Sequence, residues 1–272
     1  MRFVVWRPDT TNAMGQPSQE WAHEVDGADA IVNLAGAGIA DRRWTNARKG
    51  VLRGSRIVST RQLISAVRAA ARRPAVFVQG SAIGYYGTTG EAIVDESSPH
   101  GSDFLATLCV DWEAEGRAAE ALGCRVVCLR TGIVLGRGGG ALAKMRVPFQ
   151  LFIGGPLASG GQYTSWIHVD DWVALVAFAL ETPTVRGTIN GTAPNPVTNA
   201  RFSAALGRAL HRPSWLPVPG FALRIVFGEL ADAGFINGQR VVPTRTLELG
   251  FTFKYPEIDA AMAAAAQGTH IA

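Results

Sequence analysis

Apolar positions along this chain fall into two alternating rhythms. Short, nearly unbroken runs occur at Ala30–Leu34, Ala75–Val78 and Arg125–Leu129, each of strand length and rich in valine and isoleucine. The first is of the kind buried on both faces of a parallel sheet. Between the runs lie longer segments. From Thr45 to about Ala71, Val51, Leu52, Ile57, Val58, Leu63, Ile64 and Val67 recur at about 3.6 residues, which predicts a helix. Asp103–Leu122 is alanine-rich and closed by Gly123, a second helix with its stop signal. Ahead of these, Phe3–Trp6 is a β-rich run halted by Pro8 and reads as an edge strand, and the stretch to Pro17 reads as loop. Strand, helix, strand, helix, strand predicts an α/β fold built on a doubly wound parallel sheet.

Past residue 140 the rhythm loosens. Helices are expected over Leu142–Phe152, Asp170–Leu180, Ala200–Leu210 and Pro256–Ala266, with short strands at Trp166–Val169 and Thr188–Asn190. Gly154–Gln162 is a glycine-rich loop. Asp170 sits where a helix dipole favours a carboxylate, and Thr198 or Asn199 supplies a cap. From about Leu216 the composition shifts, with Pro217-Val218-Pro219 leading into an apolar helix to Phe227. The division is a main domain over 1–211 and a small mixed C-terminal lobe over 212–272.

With 272 residues, 47% hydrophobic and 18% charged, the chain can bury a full core. A net charge of +4 without a Lys/Arg block and interleaved aromatics argues against a nucleic-acid partner. An anionic cofactor or substrate, or an ordinary soluble surface, accounts for it. Cys109, Cys124 and Cys128 build no disulfide framework, and no Cys-x-x-Cys or paired-His spacing suggests a metal. The N-terminus lacks the features of a signal peptide, and no apolar run reaches about 18 residues, so no membrane span is expected. A cytoplasmic location follows.

Ligands of doubly wound sheets sit outside the carboxyl ends of the strands, so three exits matter: Asn33–Gly38, Gln79–Gly87 and Arg130–Gly140. Gly36-x-Gly38 imitates a phosphate-binding turn. Its third position, however, is Asp41, whose charge would repel a pyrophosphate, and Arg42, Arg43 and Trp44 intervene before the helix. Gly136-Arg137-Gly138-Gly139-Gly140-Ala141 fits the same pattern but reads better as a flexible glycine loop beside the site. Ser81 can offer a hydroxyl to a substrate carbonyl, or simply cap a turn.

Together these exits resemble a known family. Asn33-Leu34-Ala35-Gly36 resembles the Asn-Asn-Ala-Gly-type turn after the fourth strand of short-chain dehydrogenases/reductases, and Ser81 matches their catalytic serine/threonine position. Arg130-Thr131-Gly132-Ile133-Val134-Leu135-Gly136 and Trp166-Ile167-His168-Val169-Asp170-Asp171 resemble two further segments of the extended members. Arg43-Trp44, Ser55-Arg56, Ser81 through Gly87, Trp112-Glu113, Leu135 through Ala141, Ser165 through His168, Asn190 through Pro194 and Gln239 through Pro243 are similar to hallmarks of an atypical NAD(P)-dependent epimerase-like family with its own small C-terminal domain.

The resemblance implies a Rossmann-like fold and carries two departures. Family members open with a glycine-rich βαβ unit that anchors the pyrophosphate, and the counterpart of that unit is not found ahead of Phe3. A fragment or a misassigned start is the expected reason, a genuine short form the alternative. The Tyr-x-x-x-Lys pair of ordinary members falls on Cys109 and Glu113, at i and i+4 on one helix face. A thiol titrates at about 8.5, and a neighbouring carboxylate raises that value.

Carried over residue by residue, the resemblance implies Ser81, Cys109 and Glu113 as the catalytic positions. It puts Leu34, Ala35 and Gly36 along the adenosine–ribose side of the cofactor, with Arg56 as a cofactor-contacting arginine. Ser81, Tyr85 and Val134 would flank the nicotinamide, and Arg130 and His168 would face the substrate. His168 beside Asp170 reads equally as a loop-holding residue. The expected function is an NAD(P)-dependent oxidoreductase or epimerase-like protein acting on a small hydroxyl or carbonyl compound, with a degenerate catalytic pair. The resemblance puts NADP ahead of NAD. The competing expectation is a non-catalytic dinucleotide-binding sensor or interaction protein. Nothing in the pattern assigns an oligomeric state.

Overall fold

A computed structural model describes residues 2–6 and 19–267. Its principal elements are β1 (Ala30–Asn33), α1 (Asn46–Ala69), β2 (Val76–Ala82), α2 (Phe104–Arg117), β3 (Arg125–Thr131), β4 (Ile133–Leu135), α3 (Gly140–Gln150), β5 (Trp166–His168), α4 (Val169–Glu181), β6 (Gly187–Gly191), α5 (Asn199–Leu210), α6 (Gly220–Phe227) and α7 (Ile258–Gln267). β1, β2, β3 and β6 form one parallel sheet in that spatial order.

The alternation along each strand explains why helices cover both faces. Phe77, Val126 and Cys128 pack with Leu63, Ile64 and Val67 of α1 on one side. Val76, Val78, Val127 and Leu129 pack with Leu175 and Ala179 of α4 and with Phe251 and Phe253 on the other. The expected doubly wound α/β fold is therefore present. α1 starts where its signal stands, with the Thr45 hydroxyl accepting from the Arg48 amide at 3.1 Å.

Several expectations need correction. Phe3–Trp6 joins no strand ladder, and Phe3 is 88% exposed, although the Trp6 ring packs 5.4 Å from that of Trp21. Residues 7–18, which hold most of the expected loop to Pro17, lie outside the described residues. The run Ala30–Leu34 is not buried on both faces: Val32 is 38% exposed, because β1 has β2 as its single neighbour among the described strands. Val51 and Val58 lie on the outer face of α1, while Leu52 and Val67 are fully enclosed. β2 and β3 each run past their apolar cores. Parallel pairing continues through Gly80↔Leu129, Ser81↔Arg130 and Ala82↔Thr131, so Ser81 lies within a strand and not beyond its exit.

β4 and β5 pair with each other as a separate two-stranded ribbon. α7 packs back against α5 and this ribbon, with Ile258, Met262 and Ala265 meeting Leu135, Trp166, Phe202 and Leu206. The segment after residue 212 thus shares a core with what precedes it. Arg240–Val241 also pairs in parallel with Ile93–Val94.

Candidate active site

α2 is pressed unusually close to β2. A Cβ on Gly80 would lie 3.2 Å from the Trp112 ring of α2, and one on Gly116 would lie 2.5 Å from the Gln79 side chain. The helix is started by Asp103, whose carboxylate accepts from the Ala106 amide at 2.9 Å. This approach lets Glu113 reach across the strand ends. Its Oε1 accepts from Ser81 Oγ at 2.7 Å and from Arg130 Nε at 2.8 Å, and its Oε2 accepts from Arg130 Nη2 at 3.0 Å. Glu113 and Arg130 are both buried, a two-pronged ion pair.

The network continues outward. Arg130 Nη1 donates to the Tyr86 hydroxyl at 3.1 Å, which donates to Asn190 Oδ1 at 2.8 Å. The Arg130 guanidinium also stacks 3.2 Å from the centre of the Tyr85 ring. Burial works against the charge on Arg130, but the hydrogen bonds and charge of Glu113 outweigh it and hold the guanidinium above its ordinary value. Burial lifts the Tyr86 hydroxyl to about 12, with Arg130 opposing.

Beside this network opens a cleft of about 350 Å³ at the carboxyl ends of β2 and β3. Ala82–Gly84 and Thr131–Ile133 form one wall, Arg56, Cys109 and Trp112 another, and residues 162–165 and 233–239 close it from the far side. The Cys109 thiol is buried and pushed up to about 12, first by burial and then by the charge of Glu113. Arg56 donates through Nη1 to the Ala37 carbonyl at 3.1 Å and lies 5.0 Å over the Trp112 ring. The guanidinium lies hard against the loop: a Cβ on Gly36 would stand 2.9 Å from the Arg56 guanidinium carbon. Asp41 pairs with Lys144 at 2.8 Å, and the loop after β1 opens no helix until Asn46.

Of the residues singled out in the sequence, Arg56 and Cys109 line the cleft. Ser81, Tyr85, Glu113 and Arg130 are brought together behind its wall. Leu34, Ala35 and Gly36 lie on the loop after β1, where the Ala35 amide donates to Asn33 Oδ1 at 3.3 Å. Val134 sits in β4 among the apolar side chains over the sheet. His168 ends β5 with its Nδ1 accepting from the Asp170 amide at 3.1 Å, which makes it the cap of α4. Its ring is 4.1 Å from Tyr255, and burial pulls its pKa down.

Neither Arg130 nor His168 is among the lining residues. The sequence assigned no site role to Met145, Tyr163 or Phe235, which do line it. Their types carry no chemical signature, and no pattern in the sequence pointed to them.

The profile of the NAD dependent epimerase/dehydratase family matches residues 12–190, and that of a domain of unknown function, DUF1731, matches 218–265. The chain is 48% identical over 250 residues to the chloroplastic epimerase family protein SDR39U1 homolog of Arabidopsis thaliana, covering 91% of this chain and 71% of the relative. It is 46% identical to epimerase family protein Mb2239 of Mycobacterium bovis, over 88% of this chain and 79% of that one. The crystal structure of human epimerase family protein SDR39U1 with NADPH superposes with a TM-score of 0.86 at 38% identity, covering 92% of this chain and 86% of the human one.

Proposed function

This chain belongs to the NAD dependent epimerase/dehydratase family, and on that footing we propose that it binds NADP(H) and acts on a small hydroxyl or carbonyl compound. The observation that carries this reading is the cleft at the carboxyl ends of β2 and β3, with the Arg56 guanidinium in its wall. The human relative was crystallised with NADPH, which favours NADP over NAD here.

The residues present fit such a cofactor. Arg56 offers a fixed cation, and Gly36 keeps the adjoining loop free of side-chain bulk where the guanidinium approaches. Leu34, Ala35 and Gly36 would run along the adenosine side, and Ser81, Tyr85 and Val134 would back the wall against which the reacting ring lies. The bound cofactor supplies or accepts a hydride. The Cys109 thiol, held protonated, donates a weak hydrogen bond toward a substrate oxygen in the cleft. Glu113 and Arg130 act as positioning residues that lock α2 onto the strand ends, and the Ser81 proton is committed to Glu113. His168 shapes the start of α4 at the substrate side.

A second reading, dinucleotide binding without turnover, is favoured by one observation: both carboxylate oxygens of Glu113 are already taken. The partner in either case is a small molecule, with neither nucleic acid nor membrane required. Among the described residues no helix is long and apolar enough to cross a membrane. Three free, buried cysteines suit a reducing compartment, which we take to be the cytoplasm.

Titrating NADPH and NADH into the full chain, followed by nicotinamide fluorescence, tests the reading. NADPH is expected to bind more tightly, and Arg56→Ala to weaken it about tenfold, the loss of one charge-assisted contact. Absence of binding by either form contradicts the proposal. Binding with no hydride transfer to any carbonyl compound selects the second reading.

A further inference from the structure

The cleft does not end at its far wall. Behind it lies a second cavity of about 340 Å³, enclosed by α3, α5 and α6. Met145, Leu157, Asn199, Phe202 and Phe235 line both, so a single layer of side chains separates them. Met145 in that layer is unbranched and adaptable, the kind of residue that repacks around a ligand.

The second cavity is lined overwhelmingly by apolar groups. Its polar side chains, Lys144, Asn199 and Ser203, offer little to a sugar or phosphate. Lys144 is held by Asp41 at 2.8 Å, and Asn199 Oδ1 accepts from the Leu157 amide at 2.7 Å. Among the described residues no Asp or Glu lines either cavity. A ring of sugar hydroxyls placed there would lose its water without gaining partners. The mouth is apolar too: Ile153 is 50% exposed and Val226 62%, and both face the cavity.

We propose that the substrate of this site is a carbonyl or hydroxyl compound bearing an extended apolar group, with the polar end in the cleft and the apolar tail in the second cavity. This rests on the cleft being the reacting site, as argued above. The one adaptable layer of side chains that the two cavities share, with Met145 able to move aside in it, is what selects a substrate tail over a separate ligand. A nucleotide sugar, whose diphosphate demands cations and whose sugar demands hydrogen bonds, is the wrong class for the lining of the second cavity.

Binding of the neutral fluorescent probe N-phenylnaphthylamine to the full chain, and its displacement by alcohols, tests the inference. Decanol is expected to displace the probe at a concentration at least about a hundredfold below that of butanol, since each buried methylene adds to affinity. UDP-glucose should not displace it. Ala222→Trp fills the second cavity without touching the first, and should weaken both probe and decanol at least about tenfold while NADPH binds as before. Val226→Glu, at the exposed mouth, should weaken decanol in the same direction in a chain whose folding is not in question. Equal potency of the two alcohols, displacement by UDP-glucose, or unchanged decanol affinity in both variants overturns the proposal. NADPH titrated into the same samples reports on the cofactor separately. Loss of NADPH binding alone defeats the cofactor reading, and loss of chain-length dependence alone defeats the substrate class.

Discussion

Two neighbouring regions of this molecule solve opposite problems. Behind the cleft, Ser81, Glu113, Arg130, Tyr86 and Asn190 form a polar core in which each named donor has an acceptor and Glu113 and Arg130 are almost wholly shielded. Beyond the cleft, α3, α5 and α6 surround an apolar cavity with little that could satisfy a polar ligand. The polar region is finished: its groups are committed to one another, and it fixes α2 against the sheet. The apolar region is unfinished in the sense that matters for binding, because its side chains leave space. Rigidity is concentrated where the cofactor would be oriented, and accommodation where a substrate would be chosen.

The largest effect should come from breaking the polar side. Glu113→Ala strands a buried guanidinium, and urea unfolding is expected to show a loss of about 3–5 kcal/mol. A loss under about 1 kcal/mol would mean that the ion pair does not hold α2 in place. Gly80→Ala, which pushes a methyl group toward the Asn33 carbonyl and Trp112, should cost about 1–3 kcal/mol. A neutral result there would show that the close approach of α2 is not required.

Raising the pH sharpens the same contrast. The Cys109 and Cys128 thiols are each pushed up to about 12 by burial first and the charge of Glu113 second, from the ordinary thiol value of about 8.5. The folded state therefore binds more protons than the unfolded one between those values, and stability falls as the pH rises through that window. Each thiol contributes a slope of up to about 1.4 kcal/mol per pH unit. Below about pH 8 the contribution is constant. Cys109→Ser should flatten the decline, and an unchanged slope would show that the thiol is not held protonated.

The smallest effect belongs to the apolar side. Val226→Glu replaces an exposed residue and should change stability by less than about 0.5 kcal/mol, although it is expected to impair ligand binding. A larger loss of stability would place Val226 in the fold and not at an open mouth.

The strand–helix alternation was legible because β2, β3 and α1 carry dense apolar cores at the right period. The ends were not. Ser81 and Arg130 are polar, so the pattern stopped short of them, yet parallel register with one another carries the ladder through both. The Glu113–Arg130 pair joins a helix to a strand 17 positions further on, a contact no periodicity announces. Phe3–Trp6 has the composition of a strand but no partner among the described residues to make it one. The apolar cavity was hidden for a related reason. Phe149, Leu206 and Leu223 belong to three helices, and each reads as an ordinary core residue until the three are assembled around a space.

Hydrogen exchange of the full chain with and without NADPH tests the central claim most directly. The account predicts slowed exchange at residues 34–39, the loop after β1 whose Ile39 reaches the cleft, and at 82–84 and 131–133, the ends of β2 and β3 that line it, with 220–227 unchanged. Slowing confined to 220–227, with the strand ends exchanging as before, would contradict it.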